Sequence, residues 1–244
     1  MRTKEAMLLV SALALITVIS YSSSRLGAIV KNYSQEGIMH EKVLEYKPLN
    51  ATGESSELNQ NIASLKEVYP DVVGWLSIPG TNIDYPFAKG SDNDYYLHQD
   101  LDKNWSLAGT IFMDYRNDSS FSDFSTLIFG HNMKNGSMFG TIKAFDDEAF
   151  FRRNNTGTIF LLDKTYEVEF IAFIVTKAND EIIYNSESIK SDADKEEFLD
   201  YIKSSARYYK DTNLSVEDTF ITISTCNYEF NNARMVLVGK IKEI

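Results

Sequence analysis

The sequence predicts a mainly β domain, a closed or nearly closed eight-stranded barrel with peripheral helices, carried behind an N-terminal apolar segment. Three observations lead there. After the first thirty or so residues, about two hundred remain, enough for one domain with a sizeable core. Beyond Pro70 the chain breaks into eight short runs rich in β-branched and aromatic residues, the signature of strands. Helical spacing is sparse among them, and eight strands against few helices point to a barrel.

At the N-terminus, Arg2 and Lys4 precede the apolar run 6–21, interrupted only by Ser11, Thr17 and Ser20. The run is somewhat short of the roughly 20 residues that span a bilayer core, and it fits a signal anchor or the apolar region of a signal peptide. No A-x-A-type cleavage site follows, which favours the anchor, and the early basic residues would keep the N-terminus cytoplasmic. Residues 1–25 are therefore expected to form a cytoplasmic tip and membrane anchor, and 26–53, with Pro48 and Gly53, an extracytoplasmic stalk of weak helical content. Residues 54–244 form the folded domain. It opens with a helix over 54–70, where Leu58, Ile62, Leu65 and Val68 share a face and Pro70 is the stop.

The predicted strands are 75–78, 83–87, 109–115, 126–131, 158–162, 166–176, 220–226 and 234–241, with Pro79 and Gly80 turning the first into the second. Two helical patches interrupt them, 138–153 and 192–209. The second is a long helix between the sixth and seventh strands; it turns Phe198, Leu199, Ile202 and Tyr209 to the sheet and starts on the capping charges Asp192 and Asp194.

Asp and Glu number 35 against 24 Lys and Arg, a net charge of -11. Nucleic acid is thereby an unlikely class of partner, since phosphate binding needs a concentrated basic face. There is no internal repeat, and the charged C-terminal segment 239–244 is too short for a second anchor.

Cys226 is the sole cysteine, so it forms no intramolecular disulfide, and in an exported chain it calls for either packing or reactivity. In a strand ending at Cys226, Thr222, Ser224 and Cys226 share one face while Ile221 and Ile223 share the other. Arg234 opens the next apolar run, and the short connection 227–233 makes the two strands antiparallel neighbours, with Cys226 and Arg234 side by side. Of the three histidines, His40 falls in the stalk, His98 in a polar stretch, and His131 at a strand end beside a turn, where a scaffold presents a functional side chain. Taken singly, each has an ordinary reading: a buried thiol, a satisfied polar histidine, a surface ion-pair arginine. Metal and nucleotide motifs are lacking: no H-E-x-x-H, no cysteine pair, no Walker A pattern, and Asp92-Asn-Asp94 lacks the glycine and terminal glutamate of a calcium loop.

Taken together, Thr222-Ile-Ser-Thr-Cys226, Arg234 and Phe129-Gly-His131 resemble the sortases, cell-surface cysteine transpeptidases whose signature is a T-L-x-T-C strand with a His earlier and an Arg later; Ile223 replaces the usual Leu. The resemblance runs from about residue 72 to the C-terminus. It is greatest for class B, through Gly109-Thr-Ile-Phe-Met-Asp-Tyr-Arg-Asn117, Asp92-Asn-Asp-Tyr-Tyr-Leu97 and the long helical insertion before the cysteine strand; class C enzymes commonly carry a C-terminal span. It implies a sortase-type barrel in which Cys226 attacks the threonine carbonyl of a sorting motif, N-P-x-T-N-like or P-x-T-G-like, near the C-terminus of a secreted protein. A peptidoglycan precursor amine then resolves the thioacyl enzyme. It implies no cofactor and no metal. His131 would act as acid and base and Arg234 as oxyanion or carbonyl donor. Asn93, Leu97, Tyr184, Ser224 and Thr225 are the positions implied for the substrate groove; their plainer readings are a turn cap, packing residues and strand hydroxyls. A papain-like protease is disfavoured because there the cysteine precedes the histidine. A non-catalytic, membrane-anchored binding module and a sortase-like hydrolase without anchoring activity remain as alternatives.

Overall fold

The computed structural model describes residues 2–48 and 59–244. The expected boundary at 53/54 and the start of the expected helix, Leu58 included, lie outside the described residues. Helix α1 (Arg2–Leu44) is continuous, which corrects the expectation of a weakly helical stalk: no proline falls before Pro48, and the lower half of the helix gains tertiary contacts that offset its modest propensity. Val43 is buried there, Tyr33 and Met39 pack on the domain, and Lys42 pairs with Asp102 at 2.8 Å. The upper half is bare. Its large apolar side chains from Met7 to Ile19 are 55–72% exposed, and the helix holds an 18-residue window of mean hydropathy 1.9, long and apolar enough to cross a membrane.

Helix α2 (Gln60–Val68) starts on Asn59, whose side chain accepts from the Ile62 amide at 3.1 Å, and buries Ile62 and Leu65. Val68, expected on that face, is 50% exposed at the last turn. The sheet then runs β1 (Val72–Ser77), β2 (Asp84–Lys89), β3 (Ile111–Met113), β4 (Ser125–Phe129), β5 (Thr156–Phe160), β6 (Thr165–Lys177), β7 (Ala206–Tyr209), β8 (Thr219–Cys226) and β9 (Ala233–Glu243). Eight of these close a ring in the order β1-β2-β3-β4-β8-β9-β6-β5, with β5 pairing back to β1. All eight expected strands are present.

The ninth strand was not expected. Residues 206–209 fall inside the predicted helix 192–209, yet helix α6 (Asp192–Ser205) stops at Ser205 and β7 follows directly. The reason lies in β6, 13 residues long: β5 covers one edge over 165–169, leaving an open edge at 172–174 along which Ala206, Tyr208 and Tyr209 pair, the two tyrosines being β-favouring. At the start of α6 the cap is Ser191, forming a capping box with Asp194. The patch predicted as helical over 138–153 also resolves differently. Met138 adopts φ +49°, a 3₁₀ turn spans Ile142–Asp146, and only α4 (Glu148–Arg153), capped by Asp147, is α-helical.

Apolar side chains fill two layers around β8. Inside the ring, Ile221 and Ile223 pack with Leu237, Phe170 and Ile128. Outside, Phe220, Val236 and Val238 are covered by Phe198 and Ile202 of α6 and by Ile183 of the short helix α5 (Glu181–Tyr184). Both faces of β8 are thus buried until its last residue, where the half-buried Cys226 emerges.

Candidate active site

Cys226 pairs with Arg234 in the antiparallel β8–β9 register, so the adjacency expected from the short connection is realised. β4 runs parallel to β8 on the other side, with Phe129 opposite Ser224. The Gly130 amide continues that ladder to the Ser224 carbonyl at 3.3 Å, and the Thr225 hydroxyl donates to the Gly130 carbonyl at 2.7 Å. One residue further, the Asn132 side-chain amide donates to the Cys226 carbonyl at 2.8 Å. His131 lies between these ties, level with the end of β8. Gly130 permits the close approach: a Cβ there would come within 2.7 Å of the Phe139 ring.

His131 Nε2 is 2.8 Å from the Leu97 carbonyl. A carbonyl oxygen only accepts, so Nε2 carries the proton and Nδ1 is the nitrogen left for proton exchange. Leu97 belongs to helix α3 (Tyr95–His98), and the His98 ring stands 6.1 Å from that of His131. Arg234 donates to the carbonyl of its neighbour Ala233 at 3.0 Å, and the described residues offer its guanidinium no carboxylate within salt-bridge distance.

The groove candidates gather on one flank. Tyr184, at the end of α5, stacks on Phe129 with ring centroids 6.3 Å apart and shares a 2.8 Å hydrogen bond with Ser224, two residues before the thiol. Burial pushes its phenol up to about 12, against the pull of the Ser224 hydrogen bond and of Arg234. The group is therefore neutral at physiological pH. Asn93 sits in the turn before α3, donating to Asp114 at 3.0 Å and accepting from the Tyr115 amide at 3.1 Å. Thr225 stands apart: by strand alternation it lies on the face opposite Ser224 and Cys226, 3% exposed, with its hydroxyl engaged by Gly130.

Sequence reasoning missed three contributors. Asn132 ties the histidine loop to the cysteine strand. Asp114 and Arg116 form a bidentate pair, Nε to Oδ1 at 2.9 Å and Nη2 to Oδ2 at 2.8 Å, bonded on to Asn93 and to the Tyr184 carbonyl. Their signal was available: two opposite charges two residues apart directly after the apolar strand Ile111–Met113. Among the described residues no three His, Cys, Asp or Glu side chains converge as a metal site.

This barrel, with a thiol, an imidazole and a guanidinium at the rim formed by β4, β8 and β9, is of the kind a cysteine transpeptidase uses. Residues 76–242 match the sortase domain, and the chain belongs to the sortase family. Its relatives are of class B. It is 34% identical to sortase B of Listeria monocytogenes over 233 residues, 94% of each chain, and 26% identical to sortase B of Staphylococcus aureus over the full length of both. Among solved structures, the Bacillus anthracis sortase B in complex with AAEK1 superposes with TM-score 0.78 at 29% identity, covering 88% of this chain and all of that one. The Staphylococcus aureus sortase B–substrate complex does so with TM-score 0.79 at 25% identity, covering 88% and 99%.

Proposed function

We propose that this sortase cleaves a C-terminal sorting motif after threonine and transfers the protein to a peptidoglycan amine, with Cys226, His131 and Arg234 as its catalytic residues. The Cys226 thiolate attacks the threonine carbonyl, and the tetrahedral oxyanion is held by Arg234, whose guanidinium keeps donors beyond the one given to the Ala233 carbonyl. The C–N bond then breaks, His131 gives a proton to the departing amine, and a thioester to Cys226 remains. An amine attacks that thioester, His131 takes its proton, and the thiolate leaves as the new amide forms. Asn93, Leu97, Tyr184 and Ser224 line the groove for a motif of the N-P-x-T-N or P-x-T-G kind, and Thr225 steadies the strand end. The apolar half of α1 anchors the enzyme in the membrane, with the barrel on the extracytoplasmic side.

The single observation that carries this reading is the register: Cys226 opposite Arg234, with the His131 loop hydrogen-bonded to the same strand end. The binding-module alternative gives no reason for three such groups to converge. The test uses the full chain in detergent micelles with a panel of sorting-motif peptides, with and without an amine acceptor, read by mass spectrometry. Cleavage after threonine with transfer to the amine, lost in Cys226→Ala and in His131→Ala, is the expected result. Cleavage without transfer would make it a hydrolase; no cleavage, with a thiol that resists alkylation in the folded chain, would end the catalytic reading.

A further inference from the structure

Asp114 is fully buried, and its carboxylate accepts from the Arg116 backbone amide at 3.0 Å, from both forks of the Arg116 guanidinium and from Asn93. The guanidinium uses its remaining reach on a distant segment: Nη1 donates to Glu187 at 2.6 Å and Nη2 to the Tyr184 carbonyl at 2.7 Å. Glu187 and Tyr184 are some seventy residues further along the chain, on the stretch leading into α6. At its other end the Tyr184 side chain meets Ser224 on the cysteine strand. One bonded path therefore runs from the Asn93 turn, through Asp114 and Arg116, across Tyr184, to the strand that ends in the thiol.

We propose that Arg116 is the positioning residue of the groove: braced by Asp114, it holds the segment 181–188 at the distance from β8 at which Tyr184 and the Asn93 turn together wall the peptide. Only an arginine fits the task. Its planar fork engages the carboxylate with two donors while the outer donors bridge outward, whereas a lysine is a point charge that satisfies one partner at a time. The groove function of these walls rests on the reading above; the bracing does not.

The experiment has two arms on the full chain in detergent. Hydrogen exchange followed by mass spectrometry compares wild type with Arg116→Lys and with Glu187→Ala, the second removing one bridge and leaving the buried pair intact. Faster exchange confined to 181–188 and the Asn93 turn, with β8 and β9 unchanged, is expected; unchanged exchange in 181–188 overturns the bracing. The second arm measures peptide kinetics and the alkylation rate of Cys226. Arg116→Lys is expected to raise KM about tenfold, on the scale of one lost charge-assisted hydrogen bond, with kcat and alkylation within about twofold of wild type. Glu187→Ala moves KM the same way by less. A fall in kcat at constant KM would overturn the positioning role. Should the wild-type chain cleave no peptide, the functional reading fails while the exchange arm still decides the brace.

Discussion

The rim that carries Cys226, His131 and Arg234 and the cluster that carries Asp114 and Arg116 flank the same strand, β4, and are built in opposite ways. In the cluster, Asp114 accepts four hydrogen bonds from Arg116 and Asn93, and Arg116 bridges to two further partners. Asn117 joins them, donating to Asp123 and the Ser125 carbonyl and accepting from the Leu127 amide. At the rim, His131 has one partner through its ring and Arg234 one carbonyl on its own neighbour. Saturated polar groups fix geometry, and spare donors are what a developing negative charge requires. Labour is thus divided: the saturated contacts that fix local geometry lie on one side of β4, and the groups proposed to react keep unused donors and acceptors on the other.

The largest effect on activity is expected at the rim. Arg234→Lys keeps the charge but loses the planar fork, and with few native contacts to lose it is expected to leave the thermal midpoint within about a degree while lowering kcat/KM by about 10²–10³, the range for removing one oxyanion donor. A midpoint that falls with the activity would place Arg234 among the structural residues.

At the cluster the order reverses. Asp114→Asn removes the charge facing a partly buried guanidinium and is expected to destabilise the domain by on the order of 3 kcal/mol, lowering the thermal midpoint by about 6–12 °C. The effect has a defined pH dependence. Burial raises the Asp114 carboxyl, but hydrogen bonds from the Arg116 side chain and backbone and from Asn93, with the guanidinium charge, outweigh it and hold the group below the ordinary carboxylate range. A depressed folded value means stability present above the unfolded pKa of about 3.9 and lost as pH falls through the lower folded value. Wild type and Asp114→Asn should therefore differ most above about pH 4 and converge in the acid range below it, as followed by thermal melts across pH; a constant gap would exclude the ionised pair as the cause.

Much of this was legible in the sequence, for identifiable reasons. Alternation along 220–226 and the short connection to Arg234 are local, so the cysteine–arginine adjacency followed from strand geometry alone. The eight ring strands carry strong β composition. What escaped is non-local or balanced between states. β7 forms because β6 has an open edge, which no local pattern within 206–209 declares. The length of α1 depends on docking of Val43 and Lys42 against the domain. Resemblance assigns Tyr184 to the groove, but the arginine that bonds its carbonyl lies 68 positions away, and only the fold brings the two together.

The two regions touch at the hydrogen bond between Tyr184 and Ser224, where the smallest effects are expected. Ser224 is 1% exposed, so Tyr184→Phe leaves its hydroxyl without a partner and is expected to cost about 1 kcal/mol of stability. Ser224→Ala should cost a similar amount by stranding the phenol, which its burial keeps neutral and in need of a partner. Removing both hydroxyls leaves neither stranded, so the double variant should be little worse than either single one, a non-additivity that a double-mutant cycle of denaturant melts measures. If the losses simply add, the two hydroxyls act independently, and the bonded path from Arg116 to the cysteine strand ends at the Tyr184 ring, leaving the segment tied to the barrel by the stacking of Tyr184 on Phe129 and the packing of Ile183.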